Sequence, residues 1–471
     1  MQDRFSEDLF LTNNTGKLLY ERYAEDMPII DFHCHLLPRE IRANAVFTDL
    51  GEMWLAHDHY KWRAMRTFGV DEEYITGSAG YYEKFRKFAA ILPELAGNPL
   101  YIWCALELKR YFGIDEPLSD ANADDIYHRT KALIQERGMT PLWCMEQSNV
   151  KLVCTTDDPA DSLEHHTAMK EEQKSGVTVL PAFRPDKSMY CEKPHFPSYI
   201  DTLAKAAEMP ITSFSALVQA LEKRLAFFKS FGTTVSDEGI EEFVWCAWTD
   251  NEIEAIFQKA KTGRPLSACE IAQYRSAFVA SMGRAYHKLG FVMQLHIGTY
   301  QGANRKGERD IGMSTGFDCT DDSTTIKSVG ALLNNLNEAG CLPKTILYPL
   351  DPAKIETFAV LAAGFCGHGT RGLVQLGAPW WFNDQAYGIQ RQFEAVANLY
   401  PVSLSAGMIT DSRSFISYPR HEVFRRVLCS YLGELVEKGE YFAGEPALKT
   451  IIGNMCYSNA VEFFNFGAFV K

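Results

Sequence analysis

The sequence predicts an α/β protein, a (β/α)8 TIM barrel with a helical insertion between strands 1 and 2, on three observations. Short β-rich runs recur along the chain, each followed by a long helical stretch. The runs are nearly continuously apolar, which marks parallel strands covered on their outer face by helices. Eight of them can be counted, and eight favours a closed barrel over an open doubly wound sheet.

Residues 28–33, 150–155 and 177–183 read as the first three strands, with a weaker fourth at 233–235. Residues 292–296, 345–348, 373–376 and 406–410 complete the set. One connecting helix shows the local logic. Ser267 and Glu270 stand in a capping-box pattern, Ile271, Tyr274, Phe278 and Met282 recur on one face, and Gly290 stops the helix before the fifth strand. The stretch 40–145 is too long for a simple crossover and carries helical runs at 82–88 and 100–108. The expected organisation is therefore a barrel built from 1–39 and 146–471, with 40–145 packed beside or over its mouth.

Composition bounds the function. In 471 residues the hydrophobic fraction is 46% and the aromatic fraction 13%, enough for a large core and too much for a disordered chain. The net charge of −13 excludes a general binder of nucleic-acid backbones, though not a local basic pocket for an anion. Twelve cysteines without a C-x-x-C pair read as reduced, mostly buried thiols of a cytoplasmic protein. The N-terminal stretch from Met1 to Asp8 lacks the apolar core of a signal peptide, and no run is long enough to span a membrane. A cytoplasmic homo-oligomer acting on a small molecule, with neither nucleic-acid nor membrane partners, is the expectation.

The active site of such a barrel lies at the C-terminal ends of its strands, so each strand end was read for chemistry. The first ends in His33-Cys34-His35, and residues two apart on an extended chain point to the same side. The eighth runs into Asp411-Ser412-Arg413. Two imidazoles and a carboxylate from across a barrel suit a divalent cation, zinc or a similar ion, with positions left open. Alone, His-x-His is equally a strand end with no role. Cys34, pointing the other way, reads as a packed thiol, and His128, His165 and His166 show no ligand spacing.

Arg184 after strand three and Arg413 after strand eight form a pair suited to gripping a carboxylate or a developing oxyanion. The bland reading of Arg184 is an ion pair with Asp186. His296 at the end of strand five reads as a third imidazole near the metal, a donor to substrate, or a core histidine. Trp380 and Trp381 are either a stacking surface for a sugar or packing. In the insertion, residues 57–66 concentrate His57, His59, Tyr60, Lys61, Arg63 and Arg66, which reads as a lid bringing acid–base and carboxylate-binding groups over the pocket, against a solvated helix face.

With these residues assembled, the chain resembles the uronate isomerases, the sugar-acid isomerase branch of the amidohydrolase superfamily, nearly end to end. The resemblance is carried by Asp31-Phe32-His33-Cys34-His35-Leu36, the Asp58-to-Arg66 stretch, Thr155-Thr156-Asp157-Asp158-Pro159, the segment from Leu180 to Lys187, Gln294-Leu295-His296-Ile297-Gly298, Trp380-Trp381-Phe382-Asn383-Asp384, and Thr410-Asp411-Ser412-Arg413-Ser414-Phe415. It implies that His33, His35 and Asp411 bind the metal, usually zinc, and that His59, Tyr60, Arg184 and Arg413 line the sugar-acid site. The implied reaction is glucuronate to fructuronate and galacturonate to tagaturonate. One departure stands out: the family's Ser-Asp-His after strand four reads Ser236-Asp237-Glu238 here, which is expected to leave a carboxylate facing the mouth.

Aldose–ketose exchange through an enediol needs a base for the C2 proton, a proton route between O1 and O2, and a means of holding negative charge. The catalytic expectation falls on Asp411, Arg413, Tyr60 and His59, and the substrate contacts on Arg184, His59, Trp381 and His296. The rival is a metal-dependent hydrolase on the same barrel. The absence of a clear bridging lysine and the two mouth arginines favour the isomerase. A silent sugar-acid-binding protein is the second rival.

Overall fold

In the computed structural model, residues 5–367 and 369–470 are described, so the first four residues of the N-terminal stretch read above lie outside it. Among the described residues there are nine strands: β1 (Ile29–Asp31), β2 (Val150–Asp157), β3 (Thr178–Phe183), β4 (Glu238–Ile240), β5 (Met293–Ile297), β6 (Thr299–Tyr300), β7 (Cys319–Thr320), β8 (Thr345–Pro349) and β9 (Val374–Leu376). β1, β2 and β3 pair in parallel, as do β4, β5, β8 and β9. Parallel bridges from Phe183 to Ser236 and from Val235 to Val292 join the two sheets into one barrel wall. β6 and β7 form a small antiparallel pair outside it. β5 and β9 are buried at every residue, as strands with side chains on both a filled interior and a helix layer must be.

Two strands differ from the sequence reading. Residues 233–235 form no ladder beyond the bridge at Val235, because Thr233 turns its hydroxyl onto the Val235 N–H and competes with strand pairing. The regular segment lies farther on, at β4. Residues 406–410 form no ladder either. The barrel closes there through side chains: the Asp31 carboxylate accepts from the Thr410 N–H at 2.9 Å and the Thr410 hydroxyl at 2.5 Å. Backbone bonds from Asp411 N–H to the His33 carbonyl (3.3 Å) and from His35 N–H to the Ser412 carbonyl (2.9 Å) complete the seam.

The helix Ala268–Leu289 begins at the Ser267–Glu270 capping box and ends at Gly290, whose φ of 73° is the left-handed conformation that glycine adopts freely. Tyr274, Phe278 and Met282 face the core, with Ile271 half-buried. Between β1 and β2 the chain is helical, including Leu50–Leu55, His59–Thr67, Tyr81–Ile91, Pro99–Glu107 and Ala123–Arg137. Trp54 packs against Phe85 and Phe88, in the same hydrophobic core that holds the side chains of β1 and β2. The helix His59–Thr67 starts at Asp58, which accepts from the Tyr60 and Lys61 N–H groups at 2.9 and 3.2 Å and from the buried Lys61 ammonium at 2.6 Å. Removing Asp58 would cost about 1 kcal/mol as a cap and about 3–5 kcal/mol more for stranding a buried charge. That expense fixes the helix where it meets the barrel loops: Tyr60 donates to Asp384 at 3.0 Å and Arg63 to the Gly316 carbonyl at 3.0 Å.

Candidate active site and metal centre

His33 and His35 follow β1 on one side of an extended chain, and both Nε2 atoms reach the same oxygen, Asp411 Oδ1, at 3.2 and 3.1 Å. Asp411 turns inward from a backbone with φ of 48°, a left-handed conformation that is costly for a branched polar residue and is held here by the seam just described. Donors bound about 2.0–2.2 Å from one tetrahedral ion stand a little over 3 Å apart, so the spacing fits a shared cation. Burial keeps His35 neutral by lowering it to about 4, and a neutral imidazole is the ligating form. Burial pushes the Asp411 carboxyl up, but hydrogen bonds from His33 and His35 outweigh it and hold the group well below its ordinary range. Asp411 Oδ2 accepts from no protein group among the described residues.

A second buried cluster shares His33. Its Nδ1 faces Asp237 Oδ2 at 3.6 Å, while His296 Nδ1 lies 2.7 Å from Asp237 Oδ1. The His296 ring stacks on Tyr348 at 4.3 Å, and its Nε2 is buried without a partner. Arg184 donates from Nη1 to Asp237 at 2.8 Å and from Nε to Asp186 at 2.7 Å. Burial works against both charges, yet Arg184 and His33 hold Asp237 far below the usual carboxylate range. Gly239 is required beside this pair: a Cβ there would stand 2.3 Å from Arg184 Nη2.

The cavity, of 90 Å³, is lined by His33, His35, His59, Arg184, His296, Trp381, Asp411 and Arg413, together with Asp318 and other residues of the loop after β5. A roomier cleft of 420 Å³ near His166 and Phe231 gathers no comparable set of carboxylates and imidazoles among the described residues, so the smaller cavity is the candidate site. Arg413 donates to the Ser314 carbonyl at 3.0 Å and joins no ion pair among the described residues. His59 packs edge-on to Trp381 at 5.4 Å, and burial with the nearby Arg413 lowers it to about 3. Trp381, like Asp411, has a positive φ of 48°. Trp380 also lines the cavity, its indole N–H held on the Tyr348 carbonyl at 3.2 Å.

Three expectations meet a different placement. Glu238 does not face the mouth: it is fully buried against the helix layer, where the Tyr286 hydroxyl donates to it at 2.5 Å, and burial raises it well above its ordinary value. Strand alternation instead turns Asp237 inward. Tyr60 is not in the cavity wall: its hydroxyl meets Asp384 behind it, beside the Arg420 guanidinium, which stacks on Trp103 at 4.0 Å. His57 turns out to Glu40 at 3.2 Å. Cys34 is buried with its thiol on the Cys154 carbonyl, and all twelve cysteines are free. Asp237 was visible as a strand-end residue without an assigned role. Asp318 and Arg420 carried no periodic or motif signal.

A model of the glucuronate isomerase family matches residues 1–464. The uronate isomerase of Clostridium perfringens is 43% identical over 464 residues, covering 98% of this chain and 100% of that protein. Among solved structures, uronate isomerase from Thermotoga maritima superposes with a TM-score of 0.92 at 34% identity, covering 98% of this chain and 99% of that one. Glucuronate isomerase from Caulobacter crescentus gives 0.91 at 26% identity, with coverage of 99% and 98%.

Proposed function

The chain belongs to the glucuronate isomerase family, and from that premise we propose that it interconverts hexuronic acids, D-glucuronate with D-fructuronate and D-galacturonate with D-tagaturonate, through an enediol. The observation that carries the reading is the convergence of His33, His35 and Asp411 on one point beside Arg413, which joins no ion pair among the described residues.

A divalent cation held by His33, His35 and Asp411, zinc by the nitrogen and oxygen donor set, would supply Lewis-acid stabilisation of substrate oxygens. The remaining roles belong to the protein's own groups. Arg413, which lines the cavity and joins no ion pair among the described residues, grips the substrate's carboxylate or the enediolate charge. Arg184 is already shared between Asp186 and Asp237, so it shapes the wall and holds Asp237 in place. Asp411 Oδ2 is positioned to receive the C2 proton, since Oδ1 serves both imidazoles. His59, neutral at physiological pH, orients a substrate hydroxyl, with Trp381 as the apolar wall behind it. His296 presents Nε2 while Asp237 fixes its other nitrogen. Tyr60 moves protons only by way of Asp384, whose carboxyl burial raises to about 7.

Incubation of the metal-loaded protein with D-glucuronate should yield a ketose, read by ¹H NMR. Absence of ketose, with turnover of an amide or ester instead, would overturn the isomerase in favour of a hydrolase.

A further inference from the structure

Of the groups assigned so far, His59 alone is given a substrate hydroxyl, and the rest of the row that makes the substrate a sugar has no acceptor. The loop between β6 and β7 does. Four of its backbone carbonyls are each taken by a guanidinium: Ser314 by Arg413 at 3.0 Å, Thr315 by Arg66, Gly316 by Arg63 at 3.0 Å, and Asp318 again by Arg63. Arg63 also lies 4.7 Å over the Phe382 ring, and Arg66 lies 4.4 Å over Phe317. Gly316 has φ of 102°, and a Cβ there would stand 3.1 Å from the His59 carbonyl, so the strap is fitted closely to the helix that carries His59.

This strap sets the Asp318 side chain in the cavity wall at 6% exposure. Oδ1 accepts from the Gly302 N–H at 3.0 Å, and the carboxylate joins no ion pair among the described residues. The other carboxylates of the wall are served: Asp411 by two imidazoles, and Glu241 by Lys193 at 3.5 Å. A buried carboxylate with one backbone hydrogen bond keeps lone pairs free for further donors. Asp318 and Arg413 each have one backbone partner and no ion pair among the described residues, and a polyhydroxylated carboxylic acid matches the acceptor capacity of the one and the donor capacity of the other.

We propose that Asp318 is a specificity-determining residue that accepts hydrogen bonds from the sugar-acid hydroxyls, and that Arg63 is the positioning residue that aims it by holding the strap. The proposal rests on the isomerase reading above. The test uses the full, metal-loaded chain and two unreactive six-carbon acids as inhibitors, gluconate with hydroxyls and hexanoate without. Asp318→Asn keeps an acceptor for Gly302 but alters the hydroxyl-facing end. It should raise the KM for D-glucuronate about tenfold, with kcat within about threefold, and weaken gluconate about tenfold while leaving hexanoate within about twofold. Arg63→Lys should shift gluconate about threefold in the same direction, again sparing hexanoate, and speed hydrogen exchange in residues 314–318; it decides the matter if Asp318→Asn does not fold. Unchanged gluconate inhibition, or equal loss of both inhibitors, overturns the proposal. A wild-type protein that makes no ketose sinks the isomerase reading itself, whereas an active wild type with indifferent variants sinks only this inference.

Discussion

Two carboxylates flank His33, and they are neutralised in opposite ways. Asp237 comes from the barrel wall beside β4, in ordinary strand-like pairing, and receives a guanidinium from Arg184 and an imidazole from His296. Asp411 comes from a strained turn where no ladder forms, and receives only imidazoles, one of which burial keeps neutral. A third, Asp157 at the end of β2, has little more than the Thr155 hydroxyl at 2.7 Å, with His166 3.8 Å away. The lesson is one of charge balance in a low-dielectric interior. Asp237 carries its own counter-charge and serves as scaffold, Asp411 lacks one that the proposed cation would supply, and Asp157 has neither and keeps its proton.

Substitutions can break that ordering. Asp411→Asn should abolish isomerisation, by about a thousandfold or more, and empty the metal site, as read by kcat and metal content. Metal retained at full stoichiometry with normal turnover would remove Asp411 from both roles. Arg413→Met should cost about a thousandfold in kcat/KM with metal content unchanged. Asp237→Asn should cost less, about 10- to 100-fold, because it orients ligands and wall residues without touching the substrate; a loss as deep as that of Asp411→Asn would erase the distinction between them.

Asp157 gives a pH signature instead of a catalytic one. Burial raises its carboxyl to about 8 against 3.8 in water, so the folded chain keeps a proton that the unfolded chain has lost. That stabilisation is present at low pH and fades as pH rises from about 4 to about 8. Asp157→Asn removes the dependence, and the Tm advantage of the variant over wild type should grow across that interval. The smallest effect is expected for Glu238→Gln: turnover unchanged, since the side chain meets Tyr286 in the helix layer. A large loss of activity would place it back at the mouth.

Much of the site was legible because strand ends obey simple parity. His33 and His35 stand two residues apart, and closure of the barrel brings Asp411 alongside them at the seam. Parity also explains the misreading of Glu238: its strand was placed a few residues too early, and a one-residue change of register exchanges the inner and outer faces, so Asp237 took the inward place. Tyr60 lies behind the cavity wall for a different reason. It neighbours His59 in sequence, but consecutive residues on a helix point well apart, and only the tertiary packing of Trp103, Asp384 and Arg420 decides where the second one goes. The strap carrying Asp318 left no trace at all, because its shape is set by guanidinium groups reaching backbone carbonyls, a contact open to any residue type at the accepting end.

The seam between Asp31 and Thr410 gives the centre a timetable. The imidazoles are made early in synthesis and the completing carboxylate near the end, so a nascent chain that has not yet emerged through Asp411 has two thirds of a coordination set and no enclosure for it. With the proposed ligand set, metal uptake would report ring closure, and an ion offered to a truncated or half-folded chain would meet a pair of histidines with no reason to keep it.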